Sequence, residues 1–111
     1  MKKIQFIGAS LKSLRDFPDV ARSEAGFELR ELQKGYAPVD WKPMTSIGVG
    51  VKEIRIKGEQ GIFRVIYVTK YLDRVVVLHA FQKKTQKTAK KEIDLAKKRL
   101  KSLLEDINNG K

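Results

Sequence analysis

The sequence predicts an α+β fold with a mostly antiparallel sheet, in the order β-α-α-β-β-β-α. Three observations lead there. Two stretches near the N-terminus repeat apolar residues at helical spacing. Three later stretches, "VKEIRIKG", "IFRVIYVTKY" and "RVVVLHAF", are rich in β-branched and aromatic residues and are divided by short polar turns. From Thr88 onward the period changes again, to one long helical stripe.

The elements follow in order. "KKIQFIG" reads as a first strand ended by Gly8. In "ASLKSLRDFP", Leu11, Leu14 and Phe17 give a short helix stopped by Pro18. "PDVARSEAGFELRELQKG" sets Ala21, Ala25, Leu29 and Leu32 on one face of a second helix, which Pro18 opens and Gly35 stops. The two helices form a hairpin whose apolar faces need a sheet to cover. "YAPVDWKPMTSIGVG" has the prolines and glycines of a loop, held in part by Trp41 and Met44. "VKEIRIKG" alternates, with Ile54 and Ile56 on one face and Glu53, Arg55 and Lys57 on the other. The next two strands are apolar on both faces and turn near Leu72 and Asp73. Such strands are expected to be central, with helices on one side and a partner or site on the other. In the last helix Ile93, Ala96, Leu100, Leu103, Leu104 and Ile107 form the stripe, and Lys90, Lys97, Lys98 and Lys101 lie opposite.

No internal repeat or linker is visible, so residues 1–111 read as one domain. With 41% hydrophobic residues the chain has the material for a core. It carries 24 Lys+Arg against 13 Asp+Glu, a formal charge of +11. A charge of that size attracts polyanions, nucleic acid first. With no cysteine there is neither a disulfide framework nor thiolate chemistry. One histidine among scattered acids makes no metal cluster, and neither metal nor small-molecule cofactor is expected. The N-terminal apolar stretch is shorter than a signal core, and no run approaches the roughly 20 residues of a membrane span. The expected location is the cytoplasm, with no membrane partner.

Standard catalytic arrangements are absent from the motifs. "GVG" lacks the strand-to-helix context of a phosphate-cradling loop. Basic groups near the sheet remain. Arg64 interrupts the apolar run "IFRVIYV", and a guanidinium in a central strand is costly unless paired or facing an anion. Two readings stand: a cross-sheet pair with Glu53 or Asp73, or an arginine that faces phosphate among other cations. Lys83 and Lys84 close the last strand, as an exposed end or as the edge of a site. His79 is either a core histidine or an acid–base group on the same strand face as Phe81 and Lys83. Phe81 is either core or a stacking surface for a base. Such a cluster can cleave RNA without a metal. The ribose 2′-OH supplies the nucleophile, and the protein takes one proton, gives another and stabilises the phosphorane. Arginine can do only the last of these. A lysine crowded by cations, or His79, can move protons.

"EIRIKGEQGIFRVIYV" followed by "VVVLHAFQKKTQKTAKKEIDLAKKRL" resembles the phage-derived HigB-like toxins of the RelE/ParE superfamily, most strongly over Lys52–Leu104. The resemblance implies a curved antiparallel sheet with helices on its convex face, the two N-terminal ones packed on one face together with a C-terminal helix, and RNA on its concave face. It implies the toxin of a type II toxin–antitoxin pair, an mRNA endoribonuclease working on the translating ribosome and neutralised by a HigA-like helix-turn-helix antitoxin. By position the implied catalytic set is Arg55, Arg64, Lys83, Lys84 and His79. Phe81, Lys57, Lys87, Lys90, Lys91, Lys97 and Lys98 are the implied RNA contacts. Ala89 stands where relatives often carry proline, and no tyrosine follows Tyr71, although RelE proper uses a C-terminal tyrosine in proton transfer. The ParE branch shares the fold but inhibits gyrase without cutting RNA. A non-catalytic basic RNA-binding domain is the third alternative.

Overall fold

The structure, a computed structural model, describes residues 1–71, 73–83 and 88–110. Its elements are β1 (Lys3–Phe6), α1 (Ser10–Arg15), α2 (Asp19–Gln33), β2 (Trp41–Pro43), β3 (Val51–Gly58), β4 (Gly61–Val68), β5 (Arg74–Lys83) and α3 (Lys90–Asn108). The strands form one sheet in the order β1-β5-β4-β3-β2. β1 pairs in parallel with β5, and the other pairs are antiparallel. The α+β class and the order of elements agree with the sequence reading, with one addition. β2 lies in the stretch read as a loop. It is three residues long and exists only by pairing with β3, through Trp41↔Ile54 and Pro43↔Lys52. So short a strand has no periodicity of its own to read.

The expected helical faces are buried. Ala21, Ala25, Leu29 and Leu32 of α2 join Leu14 and Phe17 against Ile54, Ile56, Phe63, Val65 and Val77 on one face of the sheet. The α2 stop at Gly35 has φ +96, a backbone region open to glycine at little cost. On the other face Ala96, Leu100 and Leu103 of α3 cover Ile66, Val68, Val76 and Leu78. The expectation that helices would occupy one side only is therefore corrected. The α3 stripe needs an apolar cover, and the doubly apolar β4 and β5 provide it on the side left open by α1 and α2. α3 does not take up the whole of that face. Arg55, Arg64 and Lys83 lie beyond its apolar contacts, in the middle of β3, the first half of β4 and at the end of β5. Among the described residues no helix is long and apolar enough to cross a membrane.

β5 carries a bulge. Ile66 pairs with His79 and Tyr67 with Val77, which leaves Leu78 as an extra residue. A bulge breaks the strict alternation of faces. Leu78 therefore packs under α3 while its neighbour His79 also bonds to α3. The Leu78 carbonyl accepts a hydrogen bond from Arg99 Nη1 of α3 at 2.9 Å, so the bulge and the helix are fastened together.

Candidate nucleic-acid site

The site begins with the register of the three long strands. Arg55 of β3 lies directly opposite Arg64 of β4, and Arg64 lies opposite Phe81 of β5. Lys83 follows two residues along and pairs with Ile62. Period-two alternation thus puts Glu53, Arg55, Arg64, Phe81 and Lys83 on one face. Lys42 of β2 is the register partner of Glu53 and adds a further cation to that face. Among the described residues four cations, Lys42, Arg55, Arg64 and Lys83, meet two carboxylates, Glu53 and Asp40.

Of the two sequence readings for Arg64, the fold adopts the cross-sheet pair, and the partner is Glu53. Arg64 Nη1 is 2.8 Å from Glu53 Oε1, with the side chains 2% and 0% exposed. The two atoms approach off the hydrogen-bonding axis, so among the described residues neither has a hydrogen-bond partner, and nor does Arg64 Nε. Glu53 is a hub. Its Oε2 accepts from the Thr88 hydroxyl at 3.0 Å, and Lys42 Nζ is 3.9 Å from Oε1. Burial lowers the proton affinity of Arg64, and Glu53 opposes that shift. Arg55 is half-buried, with its Nε 3.8 Å from Asp40 Oδ2.

Lys83 is partly exposed. Its proton affinity is lowered, first by desolvation and then by Arg64 and Lys42, against a smaller opposing pull from Glu53. Like-charge crowding of Lys83 was the sequence expectation, and the geometry provides it. Lys84 and Lys87 lie outside the described residues. Lys57, Lys90, Lys91, Lys97 and Lys98 are exposed, as RNA contacts must be, and Lys90 is bridged to Asp94 at 3.2 Å.

His79 and Phe81 are placed differently from the reactive roles weighed for them. His79 is 6% exposed, and its ring stacks on Phe81 with centroids 4.9 Å apart. Nε2 is 3.0 Å from Glu92 Oε1, and Nδ1 is 3.4 Å from Arg99 Nη1. Arginine can only donate, so Nδ1 accepts and Nε2–H donates to Glu92, which is the neutral tautomer. The imidazole ties β5 to α3, and the Phe81 ring belongs to the core beneath α3. Sequence reasoning missed Glu92, Arg99, Thr88 and Lys42. A signal existed for two of them: Glu92, Ala96, Arg99 and Leu103 share one helical line at steps of four, three and four.

Burial lowers the His79 proton affinity below the ordinary value of 6.5, and Glu92 only partly offsets this. The unfolded chain therefore binds a proton at a higher pH than the folded one, and stability must fall as pH drops below 6.5. The expected slope is at most about 1.4 kcal/mol per pH unit for this one group. His79→Gln should flatten the decline between neutral and mildly acidic pH in urea titrations. An unchanged slope in that variant would exclude His79 as its source.

Residues 12–101 match the family described as phage derived protein, Gp49-like. No curated protein matches the chain.

Proposed function

The chain belongs to the family of phage derived Gp49-like proteins, and from that premise we propose that it is a HigB-like toxin of the RelE/ParE superfamily, a metal-independent mRNA endoribonuclease. The observation that carries this reading is the convergence of Arg55, Arg64 and Lys83 on one sheet face. Like charges directly opposite each other destabilise a sheet. Glu53 accounts for the buried Arg64, whereas the partly exposed Arg55 directly opposite it has, among the described residues, only Asp40, at 3.8 Å, as counter-charge. Arg55 is therefore the member of the pair that a phosphate oxygen can reach.

The reaction uses groups already on that face. The substrate's 2′-oxygen attacks the adjacent phosphorus as its proton passes to solvent water, and the bond from phosphorus to the 5′-oxygen breaks, leaving a 2′,3′-cyclic phosphate. Arg55 stabilises the extra negative charge on the phosphorane by direct contact, and the buried Arg64 adds its positive charge from beneath. Lys83, with its ammonium destabilised by burial and by Arg64 and Lys42, is the stronger acid and protonates the departing 5′-oxygen. The exposed lysines of α3 and Lys57 hold the RNA backbone. The translating ribosome is the place of action, and a HigA-like helix-turn-helix antitoxin is the neutralising partner.

Induced expression followed by mapping of transcript 5′ ends tests this. The expected result is growth arrest with new 5′ ends inside codons, relieved by co-expressing the antitoxin. Intact transcripts with DNA damage would replace this reading by gyrase inhibition. Normal growth would leave a non-catalytic RNA-binding domain.

A further inference from the structure

We infer a second contact for single-stranded RNA at the opposite ends of the strands, separate from the Arg55–Arg64–Lys83 site. It consists of two adjoining clefts that share Lys2 and Gly35. The first, of about 580 Å³, is lined by Lys2, Lys3, Lys34 and Arg74. The second, of about 180 Å³, is lined by Tyr36, Trp41 and Lys52.

The fold brings these residues together without help from local sequence. β1 and β5 run parallel in register, which sets Lys3 beside Arg74. The Lys2 backbone N–H donates to the Gln33 carbonyl, and Gln33 Nε2 donates to the Lys2 carbonyl at 2.8 Å. That exchange fixes the start of β1 against the end of α2, where Lys34 follows. The pairing of β2 with β3 places Trp41 within reach of Lys52, whose Nζ sits 4.8 Å from the ring centroid.

The chemistry is that of a backbone track beside a base platform. Five cations, Lys2, Lys3, Lys34, Lys52 and Arg74, face two acids, Asp73 and the Glu31 bridged to Lys34 at 3.1 Å. Arg74 donates to Gln5 at 3.1 Å through Nη1, while its buried Nε has no partner among the described residues. Tyr36 is 62% exposed and Trp41 40% exposed. Large aromatic rings left in water beside cations are what bases stack on when a strand is held by its phosphates. A membrane surface would need only the charge. The aromatic pair is what favours RNA. This contact does not depend on the cleavage reading, because a non-cleaving protein would keep it.

Trp41 is the only tryptophan in the chain, so its fluorescence reports a ligand at this ring once the other site is silenced. The titrant is a short oligouridine RNA, and the protein carries Arg55→Ala and Lys83→Ala to silence the other site. Saturable quenching of Trp41 is expected. By anisotropy of labelled RNA in the same background, Trp41→Ala or Tyr36→Ala should each weaken binding about 5- to 150-fold. Trp41→Phe should keep the affinity. Removing Lys2, Lys3 and Lys34 together should lower the slope of log affinity against log salt by about 2. No quenching would overturn the inference. Equal quenching by heparin, which has no bases, would also overturn it. A shift with phosphatidylserine vesicles but not with RNA would overturn it in favour of a membrane surface.

Discussion

Arg64→Ala is expected to lower folding stability by about 3–5 kcal/mol, because it leaves the buried Glu53 carboxylate without its closest counter-charge. Glu53 is fully buried and its remaining cation, Lys42, stands 3.9 Å away on a half-exposed stem. A small domain holds about 5–15 kcal/mol in all, so this one change removes a large share. The sequence alone suggests that Arg64→Ala would lose cleavage in a folded protein. The buried pair changes how that loss must be read, since unfolding alone would produce it. Urea unfolding of the single variants and of Arg64→Met with Glu53→Leu separates the contributions. Replacing both partners with apolar groups should recover most of the stability, whereas either single change should not. A single Arg64→Ala variant within about 0.5 kcal/mol of the parent would show that the pair contributes nothing.

Lys83→Ala is expected to behave in the opposite way, with cleavage falling about 10²- to 10⁴-fold while stability barely moves. Lys83 is partly exposed at the strand end, and among the described residues no carboxylate lies within ion-pair distance of it. Lys83→Arg divides the remaining explanations. Arginine keeps the positive charge but does not release its proton. RNA binding should therefore survive in that variant and cleavage should not. Rates on a defined RNA, with thermal unfolding followed in parallel, provide the check. Full cleavage by Lys83→Arg would remove Lys83 from proton transfer and leave it a charge only.

Much of the fold was legible because each long element buries a face with its own period. The line Ala21, Ala25, Leu29 and Leu32 could only be helical, and it packs as one. The alternation of Ile54 and Ile56 with Glu53, Arg55 and Lys57 decided which face of β3 would carry charge. β2 was not legible, since a strand of three residues is defined by its partner. Nor was the bulge at Leu78, which has no sequence signature but puts both Leu78 and His79 toward α3. The site was legible in part. Arg55, Arg64 and Lys83 do converge, whereas His79 and Phe81 are taken up by the docking of α3.

The amino-acid sequence by itself determined the α+β class, the basic character, and the strand faces that bear Arg55, Arg64 and Lys83. These are local properties, set by period, propensity and charge. Tertiary structure alone decided what each charged group faces. Arg64 meets Glu53 because β3 and β4 pair in that register, and His79 meets Glu92 and Arg99 because α3 crosses the bulge. The cleft joining Lys3, Arg74 and Trp41 exists only because β1 lies beside β5 at one edge and β2 closes the other. Such meetings join residues from 11 (Glu53 and Arg64) to 71 (Lys3 and Arg74) positions apart along the chain, and only burial of the shared core selects them.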